Sequence, residues 1–255
     1  LIDLSRERST GAILHSTVSL YRDYPWLFLL LALAVIAPWD LVKLAITGAG
    51  PFGHLPHTSF LARQSLDLLN LSLIDPLVSA LHIHAVATIG NGERPHLSTV
   101  AKRGLAVLPT VAVVALVAGV GMEIGFFALL IPGFILWVRL SVAAQTAAVE
   151  PGGVRTALRR SWHLTRHDQG HILGLLLFVA VLVAGSSLAA FTLSTGTGSS
   201  PGAVALGIAL NTIIASFTAL TTALLYFDLQ ARETRPRHPH EYQHTRDLDP
   251  IGETR

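Results

Sequence analysis

The chain has 255 residues, of which 51% are apolar and only 13% charged, with a mean hydropathy of +0.54. Soluble domains carry about 25% charged residues, so this composition excludes an ordinary water-soluble fold. The absence of cysteine excludes disulfide and thiolate chemistry, and a net charge of +2 is too thinly spread for a nucleic-acid-binding face.

The apolar residues fall into blocks of roughly 20, the length a bilayer requires. Residues 9–23 predict a short amphipathic helix capped by Ser9 or Thr10, with Ile13, Leu14, Thr17, Val18 and Tyr21 on one side. Span one follows over residues 24–49, entered through Pro25 and anchored by Tyr21, Tyr24 and Trp26. Arg6, Arg8, Arg22 and Asp23 precede it without a small-residue cleavage site, so it reads as a retained span and not a signal peptide. Asp40 and Lys43, three residues apart near its far end, can pair on one helix face.

A Gly/Pro/His loop over 50–63 leads to span two, 64–90, with Asp75-Pro76 inside it. A second amphipathic stretch, 98–104, carries Lys102 and Arg103. Spans three (105–124) and four (126–149) are joined by a tight turn near Glu123–Gly125, or nearer Pro132-Gly133. Pro151-Gly152-Gly153 breaks the helix, and residues 154–167 form the strongest amphipathic segment. Span five covers 172–193 and span six 203–229.

The fold class is therefore all-α: a polytopic membrane protein of six transmembrane helices with short amphipathic interfacial helices. Its domain reading is an N-terminal segment (1–23), a six-helix membrane domain (24–230) and a disordered tail (231–255) rich in Pro, His and charge. An amphipathic segment precedes a helical hairpin three times, over 9–90, 98–149 and 154–229, a loose threefold repeat. Six spans place both ends on one side, with 15 of the 18 Lys and Arg, whereas the other side has only Arg63. The positive-inside rule then predicts cytoplasmic termini.

Arg139 lies inside span four, where an ionised group costs several kcal/mol unless it is paired or reaches water. Asp75 and Glu123 are its candidate partners. Asp75 is favoured because Pro76 frees the carbonyl of Ser72 and so creates a polar pocket. The plainer alternative to a ligand site is an ion pair that fixes helix register. With Asp40 and Lys43, these residues form the intramembrane polar set.

Arg155, Arg159, Arg160, Trp162, His163 and Arg166 form a basic segment suited to anionic headgroups. His163, His167 and His171 recur every four residues, a spacing that could offer ligands to zinc. A basic interfacial stripe accounts for them better, because the run winds around the helix and Gly170 weakens it. His82 and His84 are two apart, which is poor metal geometry. Asn211, Thr218 and Thr222, with Gly207 one turn earlier, form a polar stripe of the kind that holds helices together.

Ile131-Pro132-Gly133, Val138-Arg139-Leu140, Glu150, Ala157-Leu158-Arg159-Arg160-Ser161-Trp162 with Leu164 and Arg166, and Tyr226-Phe227-Asp228-Leu229 with Arg232-Glu233 occur in this order. Over residues 10–233 the chain resembles the bacterial membrane domain found fused to some glycerophosphodiester phosphodiesterases and standing alone in related integral membrane proteins. The resemblance implies six helices with cytoplasmic ends. It does not imply phosphodiesterase activity, which belongs to a separate metal-dependent barrel. His163, His167 and His171 depart from the pattern.

No phosphate-cradling loop, nucleophile elbow or metal triad is visible, so the expectation is a non-enzymatic protein without a cofactor or metal. It would sit in the bacterial inner membrane as a scaffold or lipid-interacting module whose partners are anionic lipids. A transporter or channel using Arg139 and Asp75 is the alternative.

Overall fold

The computed structural model describes Leu4, residues 6–48, 59–197 and 200–234. Most of the loop over 50–63, and all of the tail beyond Thr234, lie outside the described residues. The described chain is helical throughout and has no strands. In order come α1 (Thr10–Asp23), α2 (Pro25–Thr47), α3 (Phe60–Leu69), a π turn (Asn70–Ile74), α4 (Asp75–Gly90), α5 (Leu97–Ala128), α6 (Leu130–Leu140), α7 (Ala143–Val149), α8 (Val154–Leu164), α9 (Gln169–Thr197) and α10 (Pro201–Thr234).

Six helical stretches are long and apolar enough to cross a membrane: Pro25–Thr47, Gln64–Gly90, Leu97–Ala128, Leu130–Val149, Gln169–Leu188 and Pro201–Thr234. The chain is a multi-pass membrane protein of the all-α class. Local chemistry sets its boundaries. Ser9 caps α1 by accepting a hydrogen bond from the Ala12 amide at 3.3 Å. Pro25 opens α2, where a missing N–H costs nothing, and Gly48 closes it in the left-handed conformation, φ 68°.

Three expectations need correction. The stretch 98–104 is not a separate amphipathic helix, because it forms the first turns of the 32-residue α5. The turn between spans three and four lies neither at 123–125 nor at Pro132-Gly133 but at the extended Leu129, φ −162°. Pro132 sits in the first turn of α6, and Gly133 lets that helix approach α5: a Cβ there would stand 2.7 Å from the Phe126 Cα. The stripe through His163, His167 and His171 does not lie on one helix either, since α8 ends at Leu164 and α9 begins at Gln169.

Burial follows polarity. The Gln64–Gly90 stretch is 61% buried over its most apolar window, against 22% for Leu97–Ala128. The most apolar windows, in Leu97–Ala128 and Gln169–Leu188, are the least buried, as suits helices that face lipid. Val113 and Val117 of α5, Val181 of α9 and Leu206 of α10 are exposed in keeping with this. The core gathers around α4 and the second half of α10, with Phe28, Ile83, Leu220, Leu224 and Tyr226 fully buried. α10 packs on α1, α2, α4 and α9, which makes it the common wall of the bundle.

Candidate functional site

The largest polar assembly lies where the two ends of the described chain meet. Asp228, on the last turns of α10, has a side chain with no exposed surface. It accepts hydrogen bonds from the Arg8 amide and, at 2.8 Å, from Arg232 Nε. Arg232 also donates to the Arg8 carbonyl at 2.6 Å and to Asp168 at 3.2 Å. His171 lies 3.3 Å from Asp228 through Nε2 and 2.9 Å from the Thr10 hydroxyl through Nδ1. These contacts tie the N-terminal segment and the start of α9 to α10. Both ends of the membrane bundle therefore sit at the same end of the molecule.

Beside it, Arg160 of α8 donates through Nε to both oxygens of Glu150 at 3.1 Å and through its terminal nitrogens to Glu233 at 2.6 Å. Tyr226 donates to Glu150 at 2.8 Å, and His163 lies 3.1 Å from Glu233. The hydrogen bond to Glu233 and the two surrounding carboxylates hold the Arg160 guanidinium above its ordinary range. Such forked, charge-assisted bonds fix direction as well as distance.

Below this end, neutral polar groups link the helices. Gln145 of α7 donates to Ser79 of α4 at 3.0 Å and to Thr222 of α10 at 2.9 Å. His82, fully buried, bonds the Val78 carbonyl at 2.8 Å and Ser216 at 2.9 Å. Its two nitrogens are thus spent on helix packing. Among the described residues, no group of three His, Cys, Asp or Glu stands in an arrangement that could hold a metal ion.

The intramembrane set divides into three places. Asp40 and Lys43 pair at 2.7 Å as their spacing predicts, and Asn211 of the polar stripe donates to Asp40 at 2.8 Å. Asp75 instead faces Asn70 at 3.0 Å, and Asn70 accepts from Trp39 Nε1 at 2.9 Å across to α2. Glu123 is exposed near the end of α5. The expected pairing of Arg139 with Asp75 or Glu123 does not form: none of the ion pairs among the described residues includes Arg139.

Arg139 stands on the last turn of α6. Its guanidinium carbon lies 5.2 Å from the Trp162 ring centroid, and Nη1 reaches the Trp162 carbonyl at 3.4 Å. The break at Ser141–Val142 takes the Arg139 carbonyl out of the helical ladder. Ser161 of α8 and Thr165, the residue that follows the helix, supply hydroxyls to it, at 2.8 and 3.3 Å. Arg139 thus belongs to the polar end, docked against α8.

No family model, curated protein or solved structure matches the chain.

Of the basic segment, α8 buries Ala157, Ser161 and Leu164 and turns Arg160 toward Glu150 and Glu233. Arg155, Arg159, Trp162, His163 and Arg166 remain exposed. Gln145, Ser79, Ser216 and Asp228 were not identified from sequence as interacting residues. The available signal was a polar residue inside an otherwise apolar helix, which marks a buried contact because lipid offers no partner.

Proposed function

We propose that this protein is a non-enzymatic membrane scaffold whose α8 surface contacts anionic lipid headgroups. In this reading the bundle end where both ends of the described chain meet faces the cytoplasm of a bacterium. The observation behind it is the division of labour on α8. One face docks onto the bundle through Ala157, Ser161, Leu164 and Arg160, while Arg155, Arg159 and Trp162 stand out at helical spacing, followed by Arg166. No ion pair among the described residues involves those three arginines. Basic residues beside an anionic surface contribute about 1 kcal/mol each. The bias of basic residues to one side of the six spans and the resemblance over residues 10–233 support the orientation.

Extraction of the full chain into polymer nanodiscs from a mixed phosphatidylglycerol and phosphatidylcholine membrane tests the reading. The parent should enrich phosphatidylglycerol around itself at low salt, and the triple variant Arg155→Gln, Arg159→Gln, Arg166→Gln should return the disc to the bulk ratio. Equal enrichment by parent and variant would refute lipid contact through α8.

A second reading, a transporter, draws on Asp75. This carboxylate is exposed within the Gln64–Gly90 stretch, immediately after a π turn, an irregularity common at functional sites. Proton flux into proteoliposomes that disappears in Asp75→Asn would favour it. Proteoliposomes no leakier than empty vesicles would remove its basis.

A further inference from the structure

We propose that Arg139, laid against Trp162, binds the phosphate of a phospholipid headgroup. The inference rests on the reading of α8 as a lipid-contacting helix and assigns it a defined polar site.

Arg139 carries a permanent charge and five N–H donors in a rigid fork. Its one hydrogen bond from the guanidinium, to the Trp162 carbonyl, is long at 3.4 Å. Its Nε is buried and meets no acceptor. No acid pairs with it among the described residues. A buried donor without an acceptor costs roughly 1–3 kcal/mol, so the protein itself leaves this guanidinium under-satisfied, and its terminal nitrogens are the atoms open to a ligand oxygen.

The group is also held in place. Ser161 and Thr165 grip the Arg139 carbonyl, and the Trp162 ring supports the guanidinium at 5.2 Å. A plane fixed along one side presents its remaining N–H groups together, the arrangement that two phosphate oxygens match. Trp162 is 43% exposed, so the site opens outward. Arg160 and its two acids project from the other side of α8, because residues two apart on a helix differ by about 200°. Those two acids therefore lie away from the Arg139 side, and the exposed Arg166 follows directly after Thr165.

The occupant is a phospholipid. The site lies at the polar end of a membrane bundle, and an exposed Trp beside a cation is the usual furnishing of the headgroup level. Phosphate is the recognised chemistry, so a zwitterionic phospholipid qualifies as well as an anionic one.

Native mass spectrometry of the full chain, titrated with phosphatidylethanolamine, phosphatidylglycerol and phosphate-free diacylglycerol, tests the assignment. The parent should hold one copy of either phospholipid more tightly than diacylglycerol. Arg139→Gln should weaken that copy by about tenfold, the worth of charge-assisted bonds, and leave diacylglycerol unchanged. Arg139→Lys should fall between the two. Should Arg139→Gln not remain monodisperse, the exposed Trp162→Leu carries the same test through loss of the support. Equal phospholipid affinity in parent and variants would overturn the proposal, and so would diacylglycerol binding as tightly as phospholipid. Displacement of the bound phospholipid by millimolar inorganic phosphate would overturn the lipid source. Because phosphatidylethanolamine has no net charge, the result is separable from the anionic preference tested with the α8 triple variant.

Discussion

Replacing Asp228 by Ala is expected to lower the stability of the full chain by about 3 kcal/mol, read as equilibrium unfolding in mixed micelles. The side chain is wholly buried and serves the Arg8 amide, Arg232 and His171 at once. Removal leaves the Arg232 guanidinium without its nearest acid and the Arg8 amide without an acceptor. The cost is that of stranded partners more than of a lost pair. Asp228→Asn keeps an oxygen for the amide and should recover about 1 kcal/mol of the loss. Amide exchange should rise first in α1 and at the start of α9, since those are the segments that Asp228 joins to α10. A variant as stable as the parent would show that the apolar packing of α10 alone closes the bundle.

Asp40→Leu is the second large effect, with an expected loss of about 2–3 kcal/mol. Asp40 is fully buried, paired to Lys43 at 2.7 Å and bonded by Asn211 at 2.8 Å. Its removal strands an ammonium group within an apolar helix. The double variant Asp40→Leu, Lys43→Met removes both charges and should regain most of the stability, because a buried ion pair repays little beyond its desolvation. A double variant no better than the single one would mean that Asn211, and not Lys43, is the partner that matters. With the single variant Lys43→Met added, the comparison is a mutant cycle and isolates the coupling of the two side chains from their separate packing.

Much of the architecture was legible in the residues. Long apolar blocks separated by Pro, Gly and charge located all six spans, because a bilayer leaves no other use for such blocks. Asp40–Lys43 was legible for a local reason: three residues on a helix is a fixed geometry. The helix ends were less so. Lys102 and Arg103 suggested a surface helix, yet nothing between them and Leu105 stops helix growth, and α5 runs through. The four-residue spacing of the histidines suggested a stripe on one helix, although Gly170 weakened it; the chain turns between Leu164 and Gln169 and sends His163 to Glu233 and His171 to Asp228.

Pairings across the molecule were not legible. Arg139 and Asp75 were matched because both are charged residues inside spans and Pro76 frees the Ser72 carbonyl beside Asp75. The break after Leu140 instead turns Arg139 toward α8, and the π turn gives Asp75 the side chain of Asn70. Both are backbone irregularities whose effect on direction depends on tertiary packing. The sequence by itself determined a six-span helical membrane protein with a basic bias at one end, because hydropathy and charge act through the solvent and need no partner. The tertiary structure alone decided which polar groups meet: Asp228 with Arg8, Arg160 with Glu150 and Glu233, Gln145 with Ser79 and Thr222. Hydrogen bonds and ion pairs act over about 3 Å, and only the packed helices bring residues so distant in the chain that close.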